Sequence, residues 1–312
     1  MKKLKNRGII ICVCSKNDAD KAREPFEKNP EMVLKLDDIA VFVANWDNKA
    51  DNIRLIQSIL NIGFDSMVFL DDNPFERNMV RENLPDVTVP ELPEDPGDYL
   101  EFLYSLNLFE TASYSGNDKD RTRQYQEEAK RQSSAKAFAN EDEFLASLNM
   151  KSEVKGFDSF NIPRVAQLSQ RSNQFNLRTV RYTDDQIKAM REDDSYACFS
   201  FTLEDKFGDN GLICVVILKK VDKETLFIDT WFMSCRVLKR GMENFTLNTI
   251  VDYAIANGFK TIVGEYIPTA KNGMVENHYT ALGFIPMQDE NRRLFRLDTE
   301  NYKYRNCHIT RK

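Results

Sequence analysis

Histidine is nearly absent: the 312 residues contain only His278 and His308. That is too few for a His-rich zinc site and argues against a His-dependent catalytic triad. Cysteine is sparse as well. Cys12, Cys14, Cys198, Cys214, Cys235 and Cys307 form no C-x-x-C pair, so neither a redox motif nor a zinc ribbon is encoded. Most of them lie in apolar, strand-like runs, which reads as buried free thiols in a reducing compartment. No stretch approaches the roughly 20 apolar residues of a membrane span. The start, MKKLKNRGIIICVC, imitates a signal peptide, but its apolar run is only about seven residues and charged SKNDADK follows it. We read a core strand there. A basic block is also missing, and the net charge is −6. This argues against nucleic-acid and anionic-membrane partners. The expectation is a cytoplasmic enzyme or interaction protein.

What is present suits two ordinary domains: 42% apolar and 29% charged residues over 312 positions. The first hundred residues alternate strand and helix. Gly8 to Cys14 is a continuous apolar run, as in a strand buried on both faces of a parallel sheet. Ser15 to Asp18 carries capping residues, and a polar helix follows from about Ala19 to Lys28. Leu34 to Leu36 and Ile39 to Val43 read as short strands. Asn48 to Leu60 is an amphipathic helix, ended by Gly63. Asp65 to Leu70 and Val87 to Val89 read as further strands, with a helix opened by Asn73-Pro74 between them. This βαβ series predicts a doubly wound parallel sheet over 1–97. Residues 98–148 are helical and highly charged, a connector. Residues 149–312 read as an α+β domain. It has a helix over about 162–172 and strands over 196–202, 211–218 and 225–233, with Gly208-Asp209-Asn210-Gly211 as a turn. A helix opens at Gly241, a strand covers 261–266, and a helix covers 274–282.

Two constellations carry chemistry. Ligands of parallel α/β sheets bind beyond the carboxyl ends of the strands. Ser15, Lys49, Asp71 and Asp72 fall there. The carboxylates suit Mg²⁺, and the ammonium and hydroxyl suit a phosphoryl group. In the second half, Arg236 to Gly241 (RVLKRG) joins a strand to a helix start, where backbone N–H groups gather an anion. Arg236, Lys239, Arg240 and Gly241 form this anion site, which suits the pyrophosphate of coenzyme A. Cys235 abuts Arg236 and the helix start, both of which lower a thiol pKa. It is the candidate acyl acceptor.

VCSKND (13–18), NWDNKADNI (45–53) and VFLDDNPFER (68–77) resemble the second, third and fourth motifs of the haloacid-dehalogenase superfamily. RVLKRG and NHYTALGF (277–284) resemble two motifs of the GNAT acetyltransferases, with Lys239 where their loop has its middle glycine. QRSNQFNLRTVRYT (170–183), DKFGDNGLI (205–213) and DTWFMSCRVLKRG (229–241) resemble segments of the FkbH-like family, which fuses two such modules. The resemblance implies that Ser15 binds phosphate, Lys49 stabilises the phosphoryl group, Asp71 and Asp72 bear on Mg²⁺, and Tyr279 protonates a leaving thiolate. It also implies transfer of a glyceryl unit from 1,3-bisphosphoglycerate to the phosphopantetheine thioester of an acyl-carrier protein. Asn173, Gln174, Asp209 and Asn210 lie in the matching segments and are candidates for the acyl contact. The superfamily's D-x-D-x-T motif, which holds its nucleophile, has no counterpart. None of the 14 residues before Ser15 is acidic. A catalytically inactive remnant or interaction module is therefore a second expectation. A phosphatase of small phosphoesters is a third, if a longer chain exists.

Overall fold

A computed structural model describes residues 1–110, 121–135, 137–234 and 237–312. The chain forms two compact units, Met1–Ala137 and Phe138–Lys312.

The first unit runs α1 (Lys2–Asn6), β1 (Ile11–Lys16), α2 (Ala19–Lys28), β2 (Ile39–Asn45), α3 (Lys49–Leu60), α4 (Pro74–Asn83), α5 (Tyr99–Ser105) and α6 (Arg121–Ala135). β1 and β2 pair in parallel, Ser15 opposite Ala44. Several expectations change here. β1 has only one hydrogen-bonded neighbour among the described residues, and all but Ile11 of its residues are half-buried. A strand paired on one edge cannot be covered as a central strand is. Ser15 lies inside this strand, and Asp18 caps α2. Leu34 to Leu36 is not a strand; a 3-10 turn covers Leu36–Asp38. The strands expected at 65–70 and 87–89 shrink to a single parallel bridge, Val68 to Thr88. α3 ends on Asn61 at φ 51°, not on Gly63. Asparagine tolerates the left-handed cap that glycine usually fills.

The expected connector over 98–148 divides between the units. α6 belongs to the first. Tyr125 is buried among Val41, Val43, Ile56 and Leu60. Gln126 donates to the Ile39 carbonyl at 2.8 Å, and Gln132 donates to that of Ile59 at 3.1 Å. The helix is highly charged, yet it buries Tyr125 together with Thr122, Glu127 and Arg131, which a composition reading averages away. α7 (Glu141–Ser147) opens the second unit.

The second unit continues with β3 (Met150–Ser152), β4 (Val154–Lys155), α8 (Ile162–Arg171), α9 (Asp184–Glu192), β5 (Tyr196–Asp205), β6 (Gly208–Lys220) and β7 (Thr225–Met233). Then come α10 (Met242–Ala256), β8 (Thr261–Tyr266), α11 (His278–Ala281), β9 (Ile285–Pro286), β10 (Arg293–Asp298) and β11 (Ile309–Arg311). One nine-stranded sheet has the order β11-β3-β5-β6-β7-β8-β10-β9, with β4 also on β5. The expected antiparallel meander is β5-β6-β7. Gly208 to Gly211 lies within β6 rather than in a turn. The turn sits one step earlier, where the Asp205 carboxylate accepts from the Phe207 amide at 2.9 Å. The helix expected over 274–282 is only a 3-10 turn and the one-turn α11.

The sheet is covered on both faces. Val215, Val216, Ile217 and Leu218 are all completely buried. Val216 and Leu218 share one core with α10, and Val215 and Ile217 share another with α8. Alternate strand residues point to opposite faces, so a four-residue apolar run serves two cores. Each such side chain contributes about 1.5–3 kcal/mol of burial. α9 was not anticipated. Its signal is a capping box, in which Thr183 accepts from the Gln186 amide and Gln186 reaches back to the Thr183 amide. Among the described residues no helix is long and apolar enough to cross a membrane.

Candidate functional site

In the first unit, Lys49 opens α3 behind its N-cap Asn48. Asp71 stands just before α4, which Asn73 caps by accepting from the Phe75 amide at 2.9 Å. These two helix starts face each other, and Lys49 Nζ pairs with Asp71 Oδ2. Both groups are nearly buried, with side-chain exposures of 12% and 6%. The other Asp71 oxygen accepts from the Asn73 amide at 3.0 Å. Buried Arg77 fixes the turn by donating to the carbonyls of Asp71 and Asp72, both at 2.9 Å. Asp72 itself is exposed.

Two residues that sequence reasoning did not single out complete the cluster. Lys16 Nζ pairs with Glu76 Oε1 at 2.9 Å. Glu76 is buried, and its Oε2 has no partner. Cys14 also lies here, its Sγ 3.8 Å from the Lys49 carbonyl. Burial pushes its thiol up to about 11, against the pull of Lys49. Strand alternation puts Cys14 and Lys16 on this face and Ser15 on the other. The structure therefore brings together Lys49 and Asp71, and Ser15 lies within β1, opposite Ala44. Mg²⁺ demands six oxygen ligands. Both Asp71 oxygens are already engaged, and no three potential ligand residues gather among the described residues. This set does not by itself complete a Mg²⁺ shell.

In the second unit, β7 and β8 run parallel, but their register ends at Ile228 and Gly264. β7 continues to Met233 and β8 to Tyr266, so the strands part like a fork. Arg178 spans the opening. It donates to Asp229 Oδ1 at 2.8 Å and to Glu265 Oε2 at 2.7 Å. Arg292, with Arg178, holds the Glu265 carboxyl below the usual carboxylate range. Tyr182 donates to Asp229 Oδ2 at 2.5 Å.

Tyr279 lies in this fork. Its ring rests on Gly264, where a Cβ would stand 2.3 Å from ring carbons. The residue is buried, and its hydroxyl donates no hydrogen bond among the described residues. Burial drives that hydroxyl far above its ordinary pKa, so it holds its proton at any physiological pH.

The loop into α10 has two left-handed residues, Lys239 at φ 62° and Gly241 at φ 79°. Gly241 is the N-cap of α10. Lys239 is exposed. Arg240 turns inward to Asp205 at 3.4 Å, with the carboxylate fully buried. Glu243 Oε1 accepts from the Lys239 amide at 3.4 Å, so a carboxylate of this chain shares the start of α10. Burial raises the Glu243 pKa, which favours a form that an incoming anion does not repel. Cys235 and Arg236 lie outside the described residues. The described thiols of Cys12, Cys198 and Cys214 are each pushed up to about 12 by burial, which makes them inert. Among the acyl-contact candidates, Asn210 is buried on the Leu203 carbonyl at 3.3 Å. Asp209 accepts from the Gly211 amide at 2.7 Å, and Asn173 accepts from Arg181 at 2.5 Å. Gln174 is exposed.

No family model matches the chain, and no curated protein matches it. Solved structures do. The N-terminal part of a Bacteroides fragilis protein, containing a phosphatase domain complexed with Mg, is 86% identical over 36% of this chain and 30% of that one, with a TM-score of 0.36. This chain thus spans less than a third of that structure. An N-acetyltransferase from Staphylococcus aureus is 17% identical over 48% of this chain and 99% of its own, with a TM-score of 0.36. A spermidine N-acetyltransferase from Vibrio cholerae, solved with CoA and spermine, is 12% identical over 48% and 96%, with a TM-score of 0.36.

Proposed function

We propose that this is a fused protein of FkbH-like type, with a haloacid-dehalogenase-like first unit and a GNAT-like second unit that transfers an acyl group to the thiol of a carrier. The observation that carries this reading is the fork of β7 and β8 with the protonated Tyr279 hydroxyl buried at its base. In this reading the Tyr279 hydroxyl gives its proton to the leaving thiolate, and the negative charge of that thiolate, not the burial that raises the hydroxyl's pKa, supplies the drive for the transfer. In this reading Cys235 attacks the acyl carbonyl of a donor such as 1,3-bisphosphoglycerate, phosphate leaves, and the acyl group passes to the phosphopantetheine thiol of an acyl-carrier protein. The loop from Arg236 to Gly241 would hold the pyrophosphate of coenzyme A or the carrier's phosphate. In the first unit, taken by itself, Lys49 would bind a phosphoryl group, and Mg²⁺ held by Asp71 and Asp72 together with water and that group's own oxygens would supply charge neutralisation. The test is transfer of radiolabelled acyl groups to a carrier protein by the full chain. Label should reach the carrier, and Cys235→Ser should abolish it. If Cys235→Ser transfers label as well as the parent, the thioester relay is wrong.

A non-catalytic interaction module is the second reading. It is favoured by the self-pairing of Lys49 with Asp71 and by Glu243 at the start of α10. Failure of the well-folded chain to bind coenzyme A or a carrier protein would select it. Hydrolysis of p-nitrophenyl phosphate with Mg²⁺ is expected to be absent; turnover would revive a phosphatase of small phosphoesters.

A further inference from the structure

The rim of the first unit's site carries two aromatic side chains that neither of its core clusters uses. Trp46 directly follows β2 and is 70% exposed. Phe75 stands in the first turn of α4 and is 69% exposed. Both lie beyond the carboxyl ends of parallel strands, where ligands of such sheets bind. Both are tied to the segment that ends β1. Trp46 Nε1 donates to Asp18 Oδ1 at 3.0 Å. Glu76, next to Phe75, accepts from Lys16 Nζ at 2.9 Å. Lys49 opens the helix just after Trp46, and Asp71 stands just before the helix that holds Phe75; these two pair with each other. Each partner of that pair thus has an exposed aromatic neighbour in its own loop.

The Trp46 loop is rigidly built. Asn45 and buried Asn52 exchange two side-chain amide bonds, at 3.1 and 2.7 Å. Asn45 Oδ1 also accepts from the Asp47 amide at 3.0 Å, and Asn48 Oδ1 accepts from the Asp51 amide at 2.8 Å. With its N–H held by Asp18, the indole is fixed while its ring stays in water. A tryptophan left in water forgoes the large gain of burying it. Among the described residues neither ring stacks on another ring or on a cation. Two such rings at one rim point to a ligand that supplies the missing faces. A fixed ring gains most from a flat partner, because little freedom is lost when the two stack. Lys49 is the cation of the same rim, so the other end of that ligand is a phosphoryl group.

We propose that Trp46 and Phe75 form a stacking platform that selects phosphate esters whose organic part carries a flat ring, as in a nucleotide or an aryl phosphate. This rests on the reading of Lys49 as a phosphoryl-binding residue and adds to it the class of the ester's organic part. The rings make or break no bond; they contribute affinity and the choice of ligand.

The experiment is calorimetric titration of the full chain, in Mg²⁺, with AMP, phenyl phosphate, ribose 5-phosphate, inorganic phosphate and adenosine. At least one of the two ring-bearing esters should bind about fivefold to a hundredfold more tightly than ribose 5-phosphate, the worth of one base stacked on an aromatic side chain. AMP ahead of phenyl phosphate assigns the site to a nucleotide, and the reverse assigns it to an aryl ester. Trp46→Ala should remove most of the preference while leaving the affinity for inorganic phosphate unchanged. Phe75→Ala should lower it as well, and serves alone if Trp46→Ala does not fold. If inorganic phosphate and ribose 5-phosphate bind but neither ring adds affinity, or if both variants keep the preference in full, the platform is wrong while the phosphoryl reading stands. If adenosine binds as tightly as AMP and Trp46→Ala weakens both alike, the platform stands and the phosphoryl reading falls. If no ligand binds the folded chain, both fall.

Discussion

The two units hold buried ion pairs in cores of different thickness. In the first, Lys49 sits on Asp71, Lys16 on Glu76, and Arg77 on Glu91 at 2.7 Å. The second has such pairs too, Arg178 with Asp229 and Glu265 and Arg240 with Asp205, and adds a buried aromatic cluster of Trp231, His278 and Tyr279. The cores differ accordingly. β1 is paired on one edge and half-buried, whereas β6 is wholly buried from Ile213 to Leu218, between two cores. A thin core leans on its charge pairs, whereas a thick core can hold a titratable ring such as His278 neutral by burial alone. The difference teaches that removing a charge partner is the way to break the first unit, and disturbing the packing the way to break the second.

The largest effect should come from unbalancing the first unit. Lys49→Met leaves Asp71 as a buried, unpaired carboxylate. Breaking such a pair by removing one partner costs about 3–5 kcal/mol. The double variant Lys49→Met, Asp71→Asn should recover most of it, since no charge is then stranded. Each unit holds one tryptophan, Trp46 and Trp231, so urea unfolding followed in single-tryptophan backgrounds reports each unit separately. A fall of less than about 1 kcal/mol in the first unit would mean that the pair behaves as a surface salt bridge.

The second unit should break through packing rather than charge. Gly264→Ala places a methyl 2.3 Å from the Tyr279 ring. That ring cannot retreat, because Phe284 and Phe295 stand behind it with ring centres 5.0 and 5.3 Å away. Overpacking of this kind costs about 1–3 kcal/mol. The Trp231 transition should shift while the Trp46 transition stays. Tyr279→Phe, which removes a hydroxyl that donates no hydrogen bond among the described residues, should be nearly neutral in stability, and that sharpens the contrast with the first unit.

Much of this was legible in the sequence, for physical reasons that differ by region. β7 and β8 were read over their observed spans because β-branched and aromatic runs bounded by turn residues have few alternatives. The helix at Asn48 was legible from its cap and its isoleucine spacing. Lys49 and Asp71 were expected on one rim, for a phosphoryl group and Mg²⁺; their pairing with each other was not anticipated. Strand pairing was not legible. Nothing in Asp65 to Leu70 reveals that only Val68 would find a partner, because a ladder needs a neighbour from elsewhere in the chain. Lys16 and Glu76 were missed because each looks like an ordinary charged residue until alternation and a helix turn aim them at one point. The extended segment at 175–177 was invisible because SNQFNLR carries no strand signal; the bonds from the Met233 amide to the Phe175 carbonyl and from the Ile267 amide to the Leu177 carbonyl are set by the fork between β7 and β8. The burial of His278 among aromatic rings could come only from coordinates, because nothing around NHYTALGF tells a packed ring from an exposed one.

Burial of a neutral His278 predicts a pH dependence that the first unit should not share. His278 binds its proton near 3 in the folded chain and near 6.5 when unfolded. Between those values the unfolded state holds more protons, so stability rises with pH there and is lost as pH falls below about 6.5. Integration from pH 7 to pH 5 gives a loss of about 2 kcal/mol in the second unit. His278→Phe should flatten that slope in the Trp231 transition. An unchanged slope would show that His278 is hydrated in the folded state.

The smallest expected effect tests the loop into α10. Lys239 sits at φ 62°, where a Cβ crowds the following carbonyl at a cost of about 1–2 kcal/mol. Glycine removes that strain but loses more backbone entropy on folding, about 0.5–1 kcal/mol. Lys239→Gly should therefore stabilise the second unit by up to about 1 kcal/mol in the Trp231 transition. It also removes a side chain from the loop proposed to hold a pyrophosphate, so CoA affinity separates two uses of the residue. Tighter binding by Lys239→Gly would mean that close backbone approach matters more than the ammonium. Weaker binding despite the gain in stability would mean that the lysine charge supplies what the glycine would have given through its backbone, and that the strain at this position is kept for the ligand.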